Sequence, residues 1–149
     1  MDRQNVLKFN ALIVKASDVY QSFEGNSLGK YWIAYDAKTP FAFLITSDLQ
    51  AHEQQQYRIP GGKAITLDIF ICDKKYLGKG LAPALIRSFL QAEFSEVDDV
   101  FIDPETRNTR AVHVYEKVGF CAIEQFIASW HPVPHTQMVL HLKDLHKAT

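Results

Sequence analysis

The segment from Ala64 to Phe94 constrains this chain most: a strand interrupted by one carboxylate, a short loop with two glycines, then an amphipathic helix. Ala64 to Cys72 reads AITLDIFIC, dense in β-branched and aromatic residues, which predicts a strand even without clean alternation. Leu81, Leu85 and Phe89, flanked by Ala82, Ile86 and Leu90, form i, i+4 rows and predict a helix that packs one face on a sheet. Pro83 falls in the first turn, where a missing N–H is tolerated. Between strand and helix, Lys75 to Gly80 must turn the chain.

Gly78 and Gly80, one residue apart, allow positive φ and close backbone approach, so successive N–H groups can converge on a phosphate at a helix N-terminus. The same pair also suits a plain tight connection. Two nucleotide motifs are excluded: Leu81 follows Gly80, so there is no GxxxxGK with Ser or Thr, and position 83 is proline, so there is no GxGxxG.

Before this segment, Val6, Leu7, Phe9, Leu12, Ile13 and Val19, Tyr20, Phe23 have roughly helical spacing and predict one or two helices, broken near Gly25, Asn26 and Gly29. Lys30 to Tyr35 and Phe41 to Thr46 predict a hairpin joined by Asp36 to Pro40. Asp48 to Lys63 is polar and glutamine-rich, a loop. After the helix, Asp99 to Asp103 reads as a short strand, and Asn108 to Val118 as a helix ended by Gly119. Phe120 to Ala128 and Gln137 to Leu142 read as an antiparallel closing pair. Strand, helix, strand, helix, strand from 64 to 128 predicts an α/β domain with parallel pairing in the middle of a mixed sheet.

A chain of 149 residues forms a single domain, residues 1–149, and can bury a core. Sixteen Lys and Arg against 17 Asp and Glu give a net charge of -1, so the global field calls for neither nucleic acid nor an anionic membrane. No apolar run approaches the ~20 residues that span a bilayer. The two cysteines, Cys72 and Cys121, form no CxxC, and the favoured expectation is free, buried thiols in a reducing cytoplasm. The histidines form no HExxH and no Cys/His cluster, so no metal site is expected.

Lys75 to Ala82 resembles the (Arg/Gln)xxGx(Gly/Ala) pyrophosphate loop of the GNAT superfamily of acetyl-CoA-dependent N-acetyltransferases, with Lys75 in place of the usual Arg or Gln. Asn108 to Phe120 resembles the superfamily's NxxAxxxYEKxGF signature at every fixed position. Within the superfamily, LDIFI, YLGKGLA and IDPETRNTRAVHVYEKVGF look most like the aminoglycoside 6'-N-acetyltransferase branch, over Ile65 to Phe126. The resemblance implies a mixed central sheet flanked by helices and acetyl-CoA as cosubstrate. It assigns Leu77, Gly78, Lys79, Gly80, Leu81 and Ala82 to the pyrophosphate. Asn108 and the backbone of Ile69, Phe70 and Ile71 are assigned to the pantetheine arm, the latter freed by a bulge in that strand.

Alternation puts Leu67, Ile69 and Ile71 on one face and Thr66, Asp68 and Phe70 on the other. A mid-strand carboxylate either pairs with a cation, faces water or serves a site; by resemblance Asp68 contacts the attacking amine and is its general base. Tyr115 is either a core aromatic or, by resemblance, the acid that protonates the departing thiolate. Asn108 is a helix N-cap, a pantetheine contact, or both. Cys72 has no local activator, and direct transfer is favoured over a covalent route.

The expected acceptor is a primary amine of a small molecule, aminoglycoside-like or polyamine-like; the alternatives are a protein or peptide amine, or a non-catalytic acyl-CoA-binding module. The superfamily's first strand is expected to be missing or rudimentary here, the amino-terminal region shortened, and Phe9, Leu12, Ile13 and Phe23 covered in a homodimer.

Overall fold

In the computed structural model, which describes residues 11–15, 29–49, 63–78 and 80–147, Ala64–Ile71 (β4) lies at the centre of a seven-stranded sheet. On one side of it run Ala11–Lys15 (β1), Gly29–Asp36 (β2) and Thr39–Asp48 (β3), each antiparallel to the next. On the other side lie Asp99–Ile102 (β5), Cys121–Ile127 (β6) and Pro134–His141 (β7). The order is β1-β2-β3-β4-β5-β7-β6, so β7 inserts between β5 and β6, and only β4 and β5 pair in parallel. That pair is the predicted parallel centre, and β6 with β7 is the predicted antiparallel pair.

Each crossover carries a helix. Leu81–Glu93 (α1) follows β4 and Thr109–Val118 (α2) follows β5, and the Arg87 side chain of α1 donates to the Lys117 carbonyl at the end of α2. Both helices cover one face of the sheet. There Ile65, Leu67, Val100, Ile102, Met138 and Leu140 meet Leu85, Ile86, Phe89 and Leu90 of α1 and Val118 of α2 in the main core. Trp32 sits in this core with its ring edge-on to Phe89 at 5.0 Å, and its indole N–H donates to Thr46 Oγ1 at 3.0 Å, so its polar atom is satisfied on burial. The other face holds a smaller cluster of Leu49, Ala64 and Phe101, with Val139 against it. The alternation read from β4 holds: Ile65 and Leu67 are buried toward the helices, while Asp68 and Phe70 are exposed on the opposite face.

Three expectations are corrected. Leu12 and Ile13, read as helical, belong to β1, which pairs along its whole length with β2 from Ala11↔Asp36 to Lys15↔Trp32; the first strand is therefore present. The run ALIVK is too short for periodicity to separate strand from helix, and tertiary pairing decides. The other predicted amino-terminal helical residues, including Phe9 and Phe23, lie outside the described residues, as does the side chain of Leu12; Ile13 packs on the main core. Both cysteines are free but exposed, because Cys72 falls just past the end of β4 and Cys121 lies on the edge strand β6. The chain also closes with a helix absent from the sequence reading, Leu142–Lys147 (α3), whose Leu142 and Leu145 complete the main core. No helix among the described residues is long and apolar enough to cross a membrane.

Ile86 is fully buried between α1 and the sheet. Ile86→Ala should destabilise the fold by about 3 kcal/mol in denaturant titration, whereas Ser88→Ala on the exposed side of the same helix should change stability by less than about 0.5 kcal/mol.

Candidate active site

The site begins where the parallel ladder stops. β4 and β5 share Ala64↔Asp99, Ile65↔Val100 and Thr66↔Phe101, and no pair beyond. From Leu67 to Ile71, β4 keeps β3 on one side and has no β5 partner on the other, so the strands part at their carboxyl ends. A bulge in β4 was expected to cause this, and none is present: the β3–β4 register runs unbroken from Ala42↔Ile71 to Asp48↔Ile65. The cause lies in β5. After Ile102 come Asp103 and Pro104; the proline has no N–H for a ladder, and its carbonyl accepts from Thr136 N at 2.9 Å, drawing the chain toward β7. The Cys72 N–H bond to the Phe41 carbonyl and the Leu49 N–H bond to the Ala64 carbonyl set the phase of the β3–β4 ladder: Asp68 and Phe70 turn their backbone groups toward β3, and the gap leaves those of Ile69 and Ile71 without a strand partner, so Phe70, expected with them, is not open on that edge. Ligands of open α/β sheets commonly lie in such a crevice at the carboxyl ends of parallel strands.

The glycine loop borders this gap. Asp73 caps a single 3-10 turn, Lys74–Tyr76, by accepting from Lys75 N at 3.0 Å. Tyr76 fixes that turn to the β2–β3 hairpin: its ring stacks on Phe41 at 4.4 Å, and its hydroxyl donates to Asp36 Oδ2 at 2.7 Å. This bond, with partial burial and the nearby carboxylates, pushes the phenol to about 12. Gly78 and Gly80 then adopt φ of +71° and +69°, the left-handed region, and Gly80 is the N-cap of α1 with no side-chain bond to the first turn. The first turn of α1 therefore keeps N–H groups for an external acceptor. Leu77 is exposed, Leu81 buried and Ala82 half-buried; Lys79 lies outside the described residues. A Cβ at Gly78 would come within 3.0 Å of Arg110 Nη2, whereas one at Gly80 would meet nothing within 4 Å.

Across the sheet from the helices, a cavity of about 270 Å³ opens beside the gap, with Phe101 in its wall and Asp68, Asp103, Phe126, Trp130 and Gln137 around it. Asp68 is accessible through the cavity mouth, yet enough protein surrounds it that partial burial raises its pKa. Asp103, half-buried, rises to about 6: burial contributes most, then repulsion from Asp68, partly offset by His135 and a backbone hydrogen bond. The Asp68 charge therefore bears on Asp103, whereas Asp68 itself is raised by burial. On the helix side, Tyr115 is 8% exposed and stacks edge-on with Phe120, a core aromatic as one expectation held. Its hydroxyl has no hydrogen-bond partner, and no fully buried polar side-chain atom among the described residues is left unsatisfied, so the hydroxyl itself reaches solvent. Burial, and then the charges of Asp68 and Asp103, push Tyr115 to about 12, so it is a neutral phenol at pH 7. Asn108 caps α2 by accepting from Ala111 N at 3.1 Å, which leaves its amide N–H groups for other use.

Sequence reasoning missed Asp103, Phe126 and Trp130. Asp103 carried a usable signal, a carboxylate at the carboxyl end of the strand next to the one bearing Asp68. Phe126 and Trp130 carried none, because their place depends on how the segment after β5 is joined to the β6–β7 connection. That joint consists of Thr106 Oγ1 with Thr136 Oγ1 at 2.9 Å, Thr106 N to the Pro134 carbonyl at 2.9 Å, and Glu105 accepting from both Arg107 at 2.7 Å and His131 at 2.8 Å. The Arg107 hydrogen bond is the main reason Glu105 has a lowered pKa.

Residues 10–128 match the profile described as an acetyltransferase (GNAT) domain. The chain belongs to the GNAT acetyltransferase family. Its sequence is 38% identical over 102 residues to an aminoglycoside N(6')-acetyltransferase type 1 of Klebsiella pneumoniae, covering 59% of this chain and 50% of that protein. The chain thus spans about half the length of that curated relative. The crystal structure of an aminoglycoside N(6')acetyltransferase from Legionella pneumophila superposes with a TM-score of 0.74 at 47% identity, over 85% of this chain and 71% of the other. An aminoglycoside acetyltransferase solved with coenzyme A and kanamycin shares the fold at 21% identity and a TM-score of 0.62, over 81% of this chain and 70% of that one.

The unfolded reference for Asp103 is 3.8 and the folded value about 6, so between these the GNAT domain binds more protons folded than unfolded. Its contribution to stability therefore falls as pH rises from about 4 to about 6. Asp103→Asn removes this dependence: its thermal midpoint should exceed the wild-type value by a margin that grows across that range and then levels off. At the loop, Gly80→Val forces a branched residue to a left-handed φ where space is open, so the penalty is backbone strain. Calorimetry should find coenzyme A affinity reduced at least tenfold, about 1.4 kcal/mol.

Proposed function

We propose that this GNAT-family protein is an acetyl-CoA-dependent N-acetyltransferase that acts on a primary amine of a small, cationic molecule, aminoglycoside-like or polyamine-like, by direct transfer. The observation that carries this reading is the gap between β4 and β5, with Asp68 and Asp103 in a cavity on one face of the sheet and the neutral phenol of Tyr115 on the other. The relatives named for aminoglycoside acetylation support the acceptor class.

The residues fit acetyl-CoA. The left-handed glycines open the start of α1 to the pyrophosphate, the unpaired β4 edge at Ile69 and Ile71 offers amide partners to the pantetheine arm, and the Asn108 amide adds a donor. The gap then directs the thioester between the two faces. An ammonium group enters the cavity toward Asp68 and Asp103, attracted by their charge. Asp68, its basicity raised by partial burial, takes the proton, directly or through one water. The neutral amine nitrogen bonds to the thioester carbonyl carbon as the carbonyl electron pair moves onto oxygen, the nitrogen's second proton leaves to solvent water, and the carbonyl re-forms as the carbon–sulfur bond breaks with both electrons on sulfur.

Tyr115 supplies the proton to that sulfur. Part of what holds its pKa at about 12 is the negative charge on Asp68. Once Asp68 is neutralised by the amine proton, that contribution disappears, so Tyr115 becomes a stronger acid as negative charge develops on sulfur. Exposed free thiols at Cys72 and Cys121 suit a reducing, cytoplasmic setting.

Thiol release across a panel of aminoglycosides, polyamines and peptides is the direct test. Turnover on small polyamines or aminosugars is expected; turnover on peptides alone, or coenzyme A binding without any turnover, would replace the reading. Asp68→Asn should lower kcat by about a hundredfold with acetyl-CoA affinity retained, and Tyr115→Phe should slow thiolate departure in pre-steady-state kinetics.

A further inference from the structure

We propose that Arg110 is a phosphate-binding residue of the acetyl-CoA site, with its guanidinium closing the glycine loop from the α2 side. The proposal rests on the acetyl-CoA reading and deepens it. Arg110 stands in the first turn of α2, and its Nη2 lies 3.0 Å from where a Cβ at Gly78 would be. The guanidinium thus lies against the loop at Gly78, whose φ of +71° independently favours glycine there.

Its setting is otherwise unfavourable for a cation. The amino end of a helix carries partial positive charge and prefers acidic residues, yet the first turn of α2 has none and holds Arg110 instead. Among the described residues no carboxylate pairs with it, although exposed arginines readily find such partners, as Arg107 does with Glu105. An exposed guanidinium with no carboxylate partner among those residues, lying against a loop of left-handed glycines, is free to receive an anion there.

The topology supplies the convergence. β4 and β5 are parallel and each runs into its helix, so α1 and α2 start at the same edge of the sheet, and the Arg87 contact from the middle of α1 to the Lys117 carbonyl near the end of α2 holds them together. Backbone N–H groups at the start of α1 and the Arg110 side chain therefore face one volume from two sides. A guanidinium offers paired N–H donors that match two oxygens of a phosphate, a geometry that an ammonium lacks. The pyrophosphate and the 3'-phosphate of coenzyme A share this chemistry.

The test is calorimetry of coenzyme A and 3'-dephospho-coenzyme A with the wild type, Arg110→Ala and Arg110→Lys, with thermal midpoints as the folding control. It is joined by KM for acetyl-CoA and for S-acetylpantetheine, which has no phosphate. Arg110→Ala should weaken coenzyme A binding about tenfold, Arg110→Lys less, and KM for S-acetylpantetheine should not change. Equal losses with both nucleotides identify the pyrophosphate; a loss confined to coenzyme A identifies the 3'-phosphate. Wild-type affinity in a folded Arg110→Ala protein overturns the proposal. So does an equal rise in KM for S-acetylpantetheine, which would make Arg110 a support for loop shape. A wild-type protein that binds neither nucleotide overturns the acetyl-CoA reading itself, and this inference with it.

Discussion

The early end of the β4–β5 ladder is the constraint on which the rest of the site depends. Had the two parallel strands paired to the end of β4, the backbone groups of Leu67, Ile69 and Ile71 that face away from β3 would be consumed in the sheet, and no opening would join its two faces. The parting is imposed from β5, where Pro104 cannot donate and where Thr136 captures its carbonyl. Strand β4 stays straight in register with β3, so Asp68 is held by a regular ladder and its direction is fixed by simple alternation. A rigid strand on one side and a diverted strand on the other give an opening whose walls do not depend on loop conformation.

Electrostatics across that opening couples its two faces. Asp68 and Asp103 lie on the cavity side and Tyr115 on the helix side, yet both carboxylates raise the phenol. The effect passes through protein and little water, where charges act over longer distances than at the surface. A proton arriving on one face therefore changes acidity on the other. His135 tempers the arrangement from the cavity side: buried, donating through Nδ1 to the Val133 carbonyl at 2.7 Å, and stacked on Phe126, it is the charge partner that pulls Asp103 back toward ionisation.

What the sequence revealed and what it concealed follow from range. The strand around Asp68, the glycine loop, the Asn108 cap and the Gly119 stop depend on neighbours a few residues away, so periodicity and glycine placement were enough to find them. The insertion of β7 between β5 and β6 depends on pairing between distant segments, and it is this insertion that brings Phe126 and Trp130 to the cavity. β1 was misread because five residues of alternating and helical templates are nearly indistinguishable until a partner strand is present. The expected bulge was a mistaken cause for a correct effect: the gap exists, and the neighbouring strand makes it.

Stability and chemistry are assigned to opposite faces of the same strands. On the helix side, Ile65, Leu67, Val100 and Ile102 are buried to a few percent and hold the fold together. On the other side, the alternate positions Thr66, Asp68 and Asp103 are left around an open cavity, with raised carboxylates whose burial costs stability and is tolerated because the opposite face is so fully packed. Tyr115 joins the two sides, its ring in the core and its hydroxyl open to solvent, so a packing residue and an acid occupy one side chain. The two readings of that tyrosine, core aromatic and proton donor, are therefore compatible: the packing that buries the ring is also the largest influence on its acidity.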